Sequence, residues 1–427
     1  MRYLKRSLSV ISALFVVCIL LQSCIRPEKS TETTLAAETE TETATEKTPR
    51  YEKSTPQNEM RAVWISFYEL SMKESYDKSE RAFTEKAETM LKNIASASFD
   101  TIFVHVRPNA DAFYPSKIFP FTSYLSGTQG VDPGYDAFKI ICDIAKRYDL
   151  SVHAWINPFR VSTNNDITKL SSDNPAVKIL NDGDKSNDNC ISIIDEGIYF
   201  NPTVPEAHKI IIDGVREILD NYDVDGVHID DYFYPTKKTP IDADEYSAYT
   251  SGGGTMSLED WRRENVSSFV SAMYSAVKSY GEDKLFTISP SANIDLNTET
   301  YYADVRRWCS ESGYCDIIIP QVYYGYKNES NPFFMCARSW NDLVTDESVR
   351  IVYGLAIYKS GFDDDRAGDS GVYEWKERSD IISSEIKHIR TFDKYNGFAL
   401  YSYSYAWGNN VNEMSKKEVE NMMTILY

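Results

Sequence analysis

Eight short apolar segments that alternate with helical patterns constrain the fold of this chain more than any other feature. They cover 60–67, 101–107, 151–157, 226–232, 285–289, 316–323, 351–358 and 397–403. Most are β-branched and apolar at successive positions, which is typical of parallel strands covered on both faces. Amphipathic helix patterns lie between several of them, at 80–97, 135–148, 205–222 and 258–280. Ser257 and Asp260 resemble a capping box at the start of the last pattern, with Asp in place of the usual Glu.

This alternation predicts an α/β fold with a parallel sheet, and eight units favour closure into a (β/α)8 TIM barrel with extended βα loops. A doubly wound open sheet is the alternative. It is disfavoured because no GxGxxG or Walker-type turn follows any of the segments. We therefore expect one barrel domain over 60–427.

The first 59 residues differ in composition from the rest of the chain. Residues 1–23 join a basic start to an apolar run too short for a spanning helix, which predicts a signal peptide. Cys24 follows a small residue, as in the lipobox of bacterial lipoproteins, and is the predicted lipidation site; ordinary cleavage beside an incidental cysteine is the alternative. Residues 24–59 are rich in Thr and Glu and predict a disordered tether. We expect a cell-envelope protein outside the cytoplasm, held at a membrane surface by a lipid anchor.

The net charge argues against one class of partner, and the cysteine content excludes two kinds of structural site. The formal net charge of −19 argues against nucleic acid, which binds basic surfaces. An odd number of cysteines follows Cys24, with no CxxC pair, and this excludes a regular disulfide framework or a zinc ribbon. Cys309 and Cys315 either pair with each other or remain free buried thiols. We expect a monomer that needs no cofactor.

The segment GVHIDDYFYP at 226–235 carries the most distinctive chemistry of the chain. A short apolar strand ends there in two adjacent carboxylates, Asp230 and Asp231, followed by aromatic residues and a proline that stops the strand. Burial of a carboxylate at a strand end costs free energy unless the group is paired or used. At the end of a barrel strand, adjacent acids beside aromatic rings indicate carbohydrate chemistry.

Side-chain alternation along the strand distinguishes the two aspartates. His228 and Asp230 share one face of the fourth predicted strand, while Ile229 and Asp231 share the other. If His228 faces the barrel lumen, Asp230 does so too, and Asp231 points toward the helices or pairs with a neighbouring loop. We favour Asp230 as the primary catalytic carboxylate. The alternative is that both acids only anchor loops through pairs with arginines.

The other predicted strand ends are rich in aromatic, amide, arginine and carboxylate side chains. In TIM barrels the catalytic groups lie at these ends and in the loops that follow. Aromatic faces stack on the C–H side of sugar rings, while amides and arginines hydrogen-bond hydroxyl groups. The candidates are Tyr68, Glu69, Arg107, Asn109, Asp111, Asn157, Arg160, Tyr232, Ser289, Ser291, Asn293, Gln321, Tyr323, Tyr358, Tyr401, Tyr403 and Tyr405.

Three histidines on consecutive predicted strands, His105, His153 and His228, raise the question of a metal site. Each lies two or more residues inside its strand end, and the chain has neither HExxH nor HxH. We expect three lumen-facing histidines hydrogen-bonded in a packed layer, and no metal. The run 363–365 lacks calcium-loop spacing and is interpreted as a solvated loop, with a surface cation as the alternative.

Six ordered motifs resemble the barrel of glycosyl-hydrolase-like family 10 (DUF187). They are MRAVWI at 60–65, HVRPNADAFYPS at 105–116, HAWINPFR at 153–160, DGVHIDDYFYP at 225–235, WRRENV at 261–266 and IPQVY at 319–323. The match covers essentially the whole chain after the tether. It implies a (β/α)8 glycoside hydrolase, often an exported lipoprotein, linked to bacterial cell-wall glycan, including peptidoglycan strands stripped of peptides.

The resemblance also implies roles for single residues. It supports Asp230 and Asp231 as the pair at the core of the site. It also supports four site-lining groups, namely Arg107, Asp111, Asn157 and Arg160. Glu264 falls in a family motif two turns inside a predicted helix, so we expect a structural role with Arg262 or Arg263. The first motif continues as SFYEL at 66–70, where many members have a Thr-Thr-type sequence, and this departure makes Glu69 a plausible acid.

Glycoside hydrolysis needs an acid that protonates the leaving oxygen and a base or nucleophile opposite it. We interpret Asp230 as the nucleophile or base, with Glu69 or Asp111 as the acid. Two rival functions stay open. One is a carbohydrate-binding lipoprotein that has lost catalysis, and the other is a metal-dependent deacetylase or amidohydrolase that uses the histidines.

Overall fold

The computed structural model describes residues 59–238 and 241–426. The predicted signal peptide, the lipidation site Cys24 and all but the last residue of the predicted tether lie outside these ranges. Among the helices that the described ranges contain, none is long and apolar enough to cross a membrane.

A closed barrel of eight parallel strands forms the centre of the described part of the chain, which confirms the predicted (β/α)8 fold. The strands are, in chain order, β1 (Met60–Ile65), β2 (Thr101–Arg107), β3 (Ser151–Ile156), β4 (Arg160–Ser162), β5 (Ile191–Ile194), β6 (Gly197–Phe200), β7 (Gly226–Ile229), β8 (Leu285–Ile288), β9 (Ile317–Ile318), β10 (Arg350–Leu355) and β11 (Tyr395–Leu400). Around the barrel the order is β1, β2, β3, β7, β8, β9, β10 and β11, which closes on β1. In the loop after β3, strands β4 to β6 form a small antiparallel sheet.

Helices connect the strands over the outer face of the barrel. They are, in chain order, α1 (Phe67–Leu70), α2 (Glu80–Ser96), α3 (Ser123–Ser126), α4 (Ala137–Arg147), α5 (Pro175–Asn181), α6 (Pro205–Asn221), α7 (Ala243–Ser251), α8 (Leu258–Lys278), α9 (Ile294–Glu299), α10 (Val305–Ser310), α11 (Phe333–Leu343), α12 (Glu374–Glu377), α13 (Ile381–Ile389), α14 (Tyr403–Ala406) and α15 (Glu413–Met423). The predicted amphipathic patterns correspond to α2, α4, α6 and α8. The cap of α8 is one-sided: Ser257 Oγ accepts a hydrogen bond from the Asp260 N–H (3.1 Å), but the Asp260 carboxylate accepts from the Ser257 hydroxyl (2.8 Å) instead of reaching the backbone.

Seven of the eight barrel strands end earlier at their carboxyl side than the predicted segments do, and β2 ends at Arg107 as predicted. Ser66 is already the N-cap of α1, so β1 stops before the predicted end at 67. Only Ile317–Ile318 of the predicted segment 316–323 forms a strand, because Pro320 has no backbone N–H to donate. These early ends place polar residues in loops at the mouth of the barrel.

Side chains along the barrel strands alternate between two packed regions. One parity fills the lumen, and its apolar members are Ala62, Trp64, Phe103, Trp155, Ile317, Ile319, Val352 and Ala399. The other parity packs against the helices in a single larger core. The lumen is therefore a packed interior, and only its upper end is open to substrate.

His228 sits at the centre of the lumen and satisfies both of its ring nitrogens. Its Nε2 accepts a hydrogen bond from Trp64 Nε1 (3.0 Å), and its Nδ1 lies 2.8 Å from Thr287 Oγ1. The ring of Phe103 stacks on the imidazole at 4.3 Å. The predicted hydrogen-bonded packing is thus confirmed for His228.

His153 lies lower in the lumen and departs from that prediction. It is fully buried, its ring meets Phe103 edge-on at 5.3 Å, and neither ring nitrogen has a hydrogen-bond partner among the described residues. It packs against Gly226 on the neighbouring strand, where a Cβ atom would come within 2.7 Å of His153 Nδ1. The glycine of the 226–235 segment therefore makes room for this histidine.

The other groups considered from the sequence as metal or disulfide candidates can be located in the structure. Within the described ranges, no cluster of His, Cys, Asp and Glu has an arrangement suited to a metal ion. The 363–365 run is only partly solvated, because Asp364 is buried and its carboxylate accepts from Lys359 Nζ at 2.6 Å. Cys309 and Cys315 are buried free thiols.

Three buried glutamates meet outside the barrel, between α12, α13 and α15. Glu385 is fully buried, and neither of its carboxylate oxygens meets a partner among the described residues. Glu418 accepts from the backbone N–H groups that begin α13, and Glu374 accepts from Arg378. Burial raises the pKa of Glu385 well above its usual range, the charges of Glu418 and Glu374 raise it further, and Lys359 and Arg378 oppose them.

This burial predicts a pH-dependent stability. Because the folded-state pKa of Glu385 lies above its unfolded value, the folded state holds the proton more tightly, and stability falls as the pH rises above about 4.5. Glu385→Gln keeps the shape but never ionises, so its thermal midpoint at pH 8 should exceed that of the wild type by about 2–4 °C for each kcal/mol regained. The gain should shrink at pH 5. Thermal melts at both pH values measure this, with exposed Glu420→Gln on α15 as the control; an equal effect of both variants would contradict it.

Candidate functional site

A pocket of about 170 Å³, called the mouth pocket below, opens at the carboxyl ends of the barrel strands. This is the face where TIM barrels carry their active sites. Its lining residues are Ser66, Phe67, Tyr68, His105, Asn109, Tyr124, Trp155, Asn157, Arg160, Thr163, Asp230, Tyr232 and Tyr401. The pocket therefore lies over β1, β2, β3, β7 and β11, on one side of the barrel mouth.

Asp230 faces this pocket from the end of β7. It follows His228 with the lumen parity, as expected from the sequence, and is only 4% exposed. Its Oδ2 accepts a hydrogen bond from Trp155 Nε1 (3.2 Å), and its Oδ1 accepts from the backbone N–H of Tyr232 (3.2 Å). The carboxyl group is thus oriented by two donors and has one side open to the pocket.

Asp231 is not among the residues that line the pocket, and it interacts with the loop after β9. It is half-buried, and Gln321 is its hydrogen-bonding neighbour. Gln321 is held in turn by its Nε2, which donates to the Ser289 carbonyl at 2.9 Å. Of the two orientations expected for Asp231, the structure shows the pair with a neighbouring loop, and Gln321 serves this pair instead of lining the pocket.

The two adjacent carboxyl groups perturb each other. Burial raises the pKa of Asp230, and the negative charge of Asp231 raises it further, while Arg160 acts in the opposite direction. Burial also raises the pKa of Asp231. The pair therefore retains a proton to a higher pH than an exposed aspartate would.

Neither of the acids predicted beside Asp230 lies on the pocket wall. Glu69 completes a capping box with Ser66 at the start of α1, and its carboxylate also accepts from the Ser402 hydroxyl (2.7 Å) and the Ser404 N–H. These bonds tie the end of β1 to the end of β11. Asp111 is buried behind the wall, where its Oδ2 accepts from Gln129 Nε2 (2.9 Å) and burial raises its pKa to about 6.

Asn157, Arg160 and Tyr232 form one wall of the pocket, as the sequence predicts. Arg160 Nε and Asn157 Nδ2 both donate to the Pro108 carbonyl, at 3.0 and 3.1 Å. The Arg160 guanidinium lies over the Tyr232 ring, 4.6 Å from its centroid. Because Tyr232 is 48% exposed, its ring offers a stacking surface at the entrance.

Arg107 is not among the residues that line the pocket, which corrects its predicted position. The register between β2 and β3 shifts between His105 and Arg107, so a β-bulge breaks the alternation that would have turned Arg107 into the lumen. The guanidinium instead lies over the Phe119 ring at 4.8 Å and donates to the Pro158 carbonyl (3.4 Å). Its role in the structure is to hold the loop after β3.

Tyr403 is also displaced from its predicted place. It begins α14, where its side chain is buried and its hydroxyl accepts from Asn93 Nδ2 on α2 (3.1 Å). Tyr401, two residues earlier, continues the lumen parity of Ala399 and lines the pocket instead. Tyr323 lies beside the pocket, with its ring 5.7 Å from that of Tyr401.

Several lining residues were not singled out from the sequence as site residues. Trp155 could have been found, because it shares the strand parity of Asn157. His105 was assigned to packing alone, although it borders the pocket. Tyr124 lies on the short helix α3 in the long connection after β2, and Thr163 directly follows β4. No periodic pattern there indicates which side chains return to the mouth.

A buried ion pair anchors the loop that carries the two aspartates. Arg262 on α8 donates through Nε and Nη2 to the Asp242 carboxylate, and both side chains are at most 1% exposed. Tyr234 donates its hydroxyl to the same carboxylate at 2.6 Å. The guanidinium also lies over the rings of Tyr234 and Tyr302, at 5.2 and 5.1 Å. The WRRENV motif thus holds the DDYFYP segment in place.

Glu264 takes a different partner from the one expected. Its carboxylate accepts from Arg307 Nη1 on α10 at 2.8 Å, while Arg263 pairs with Asp260. Glu264 lies on the outer side of α8, away from the mouth pocket. Its carboxylate joins two helices and does not line the pocket, and the predicted pairing with Arg262 or Arg263 is wrong.

The ion pair between Arg262 and Asp242 predicts that substitutions of two neighbouring arginines change the free energy of unfolding unequally. Arg262→Met should lower the free energy of unfolding by about 3–5 kcal/mol, because it leaves Asp242 charged and buried without its partner. Arg263→Met removes a pair with an exposed carboxylate and should cost less than about 1 kcal/mol. Urea unfolding of both variants measures the difference. Similar losses would show that the Arg262 pair does not anchor the loop.

The chain that forms this pocket is similar in sequence to known proteins. Residues 59–366 match the family model described as glycosyl hydrolase-like 10. The chain is 32% identical over 320 residues to the glycosyl hydrolase YngK of Bacillus subtilis, a match that covers 70% of this chain and 61% of that relative. It is 30% identical over 315 residues to the glycosyl hydrolase DigH of Escherichia coli, covering 68% and 70% of the two chains.

Solved structures with a similar fold are glycosidases of low sequence identity. The catalytic domain of a β-amylase from Paenibacillus polymyxa superposes with a TM-score of 0.54 at 10% identity, over 86% of this chain and 98% of that one. An exo-β-N-acetylglucosaminidase from Vibrio harveyi gives a TM-score of 0.50 at 10% identity, over 87% and 55%. At this identity the likeness shows a shared barrel fold.

Proposed function

The chain belongs to the glycosyl hydrolase-like 10 family, and from this premise we propose that it is an exported glycoside hydrolase acting on bacterial cell-wall glycan. Peptidoglycan strands are the substrate class that the motif resemblance implies. The mouth pocket supports the proposal because it combines a buried carboxyl group with aromatic, amide and guanidinium side chains. These are the groups that bind and protonate sugars.

One observation carries the proposal, namely the position of Asp230. Its carboxyl group is buried, borders the pocket and is oriented by Trp155 and the Tyr232 N–H. Burial and the charge of Asp231 raise the pKa of Asp230. A carboxyl group kept protonated near neutral pH suits a general acid, so we assign Asp230 this role in place of the nucleophile or base role expected from the sequence.

In this mechanism Asp230 protonates the leaving oxygen, and Asp231 keeps the proton available through its negative charge. A glycosidase also needs a second carboxyl group opposite the first. Of the two candidates from the sequence, Asp111 is buried behind the pocket wall, where burial raises its pKa to about 6, and Glu69 is held by Ser402 and Ser404. Because neither lines the pocket, we assign a catalytic role to Asp230 alone.

A carbohydrate-binding lipoprotein is the second candidate. It is favoured by the composition of the pocket wall, in which Asp230 is the only carboxyl group among the lining residues that the structure describes. Such a protein would bind glycan through Tyr232, Arg160 and Asn157 and release no product.

The test of catalysis is Asp230→Asn. The amide keeps the shape of the side chain but has no acidic proton, so turnover should fall about a thousandfold or more, which corresponds to about 4 kcal/mol of barrier. Mass spectrometry of products from intact and peptide-stripped peptidoglycan glycans measures the loss. Asp231→Asn should reduce turnover less, because its side chain faces Gln321. Wild-type binding without any product would favour the second candidate.

We further propose that Cys24 carries a lipid that holds the protein at a membrane surface in the cell envelope. The basic start, the short apolar run and the cysteine after a small residue support this. Cys24→Ala should move the protein from the membrane fraction to the soluble fraction. Unchanged fractionation, together with no acyl label on the wild type, would rule out the anchor.

A further inference from the structure

The floor of the mouth pocket holds two buried polar side chains to which the proposed proton transfer gives no role. His105 is 2% exposed, Asn157 is fully buried, and both line the pocket. Within the described part of the chain, neither ring nitrogen of His105 nor the Oδ1 atom of Asn157 meets a well-aligned hydrogen-bond partner, and the two side chains are polar neighbours of each other. Buried polar atoms without partners are costly, and a ligand that supplies the partners recovers that cost.

The two side chains offer a defined set of donors and acceptors. Burial lowers the pKa of His105 well below its usual range, and the positive charge of Arg160 lowers it further, while a hydrogen-bonding interaction with the Asn157 side chain acts in the opposite direction. The imidazole is therefore neutral and provides one N–H donor and one acceptor. Asn157 already uses its Nδ2 atom to donate to the Pro108 carbonyl, so its oxygen remains as an acceptor.

These groups lie next to the catalytic carboxyl group. The His105 ring stacks on Trp155 with the centroids 3.6 Å apart, and Trp155 Nε1 donates to Asp230. The ring of Phe67 meets His105 edge-on at 5.2 Å. One indole thus lies between the polar floor and Asp230, and all three side chains line the same pocket.

We propose that His105 and Asn157 form a subsite for the 2-acetamido group of an N-acetylated sugar. The imidazole N–H donates to the acetamide carbonyl, the Asn157 oxygen accepts from the acetamide N–H, and the methyl group packs against Trp155 and Phe67. This subsite rests on the proposed function and adds to it the side chains that distinguish an acetamido group from a hydroxyl group. A 2-hydroxyl group has no methyl and a single polar atom, so it makes fewer of these contacts.

His153 provides a matched control within the same lumen. It is also fully buried, and its ring nitrogens also lack partners among the described residues. It lies against Phe103 below the pocket and does not line it. A loss of either imidazole removes the same chemical group, but only the His105 imidazole can reach a sugar.

The test compares binding of two glycans that differ at one substituent. Isothermal titration of the full chain with Asp230→Asn, which prevents turnover, uses oligosaccharides of β-1,4-linked N-acetylglucosamine and β-1,4-linked glucose of equal length. The acetylated glycan should bind about tenfold or more tightly, because the glucose oligomer leaves buried polar atoms unpaired. Adding His105→Phe keeps a ring on Trp155 but removes both nitrogens, and should abolish the preference. Adding His153→Phe should preserve it.

Further variants keep the test decisive. If His105→Phe does not fold, His105→Gln, which supplies a donor and an acceptor, should retain the preference, while Asn157→Ala should reduce it. A full preference in folded His105→Phe or Asn157→Ala would overturn the subsite, as would binding of neither glycan by the parent protein. Preferential binding combined with no turnover in the wild type would overturn the hydrolase proposal and leave the subsite standing.

Discussion

The alternation of side chains in a closed parallel barrel is the constraint on which the rest of this structure depends. Every second side chain of each strand must fill the lumen, and Trp64, Phe103 and His228 do so in its middle. The next lumen-facing positions toward the mouth then rest on a packed floor. Asp230 just after β7 and Asn157 just after β3 occupy such positions, so the packing that stabilises the barrel also orients the site.

The same constraint explains how much of the site could be predicted from the sequence. The β/α alternation predicted the fold, and strand parity predicted that Asp230 continues the lumen face. For Asp231 parity left two orientations open, and the structure shows the pair with a neighbouring loop. The predictions for Arg107 and Tyr403 were wrong about the position of each side chain because a local feature interrupts parity. A β-bulge precedes Arg107, and Tyr403 already belongs to α14. Glu69 was read as a strand-end acid, but Ser66 starts a helix and uses Glu69 in its capping box.

Buried titratable groups in this protein do not all indicate function. Asp230 and Glu385 are both buried carboxyl groups whose pKa burial raises. Asp230 borders a pocket and is oriented by two donors, whereas Glu385 lies between helices outside the barrel with other glutamates as neighbours. A raised pKa alone does not distinguish Asp230 from Glu385 as a candidate functional group. The cavity beside Asp230 does. No sequence pattern distinguishes these surroundings, because they depend on which loops return to the mouth.

Rigidity at the site comes from both ends of the segment that carries the aspartates. At its start, Asp230 continues a strand whose side chains are locked in the lumen. At its end, the Asp242 carboxylate is held by Arg262 on α8, deep in the outer core. The residues between these points include the exposed ring of Tyr232, which Arg160 covers from the loop after β3. A buried ion pair contributes little net stability by itself, but it excludes other loop positions. The loop can therefore present an aromatic surface to a sugar while the carboxyl group beneath it keeps one orientation.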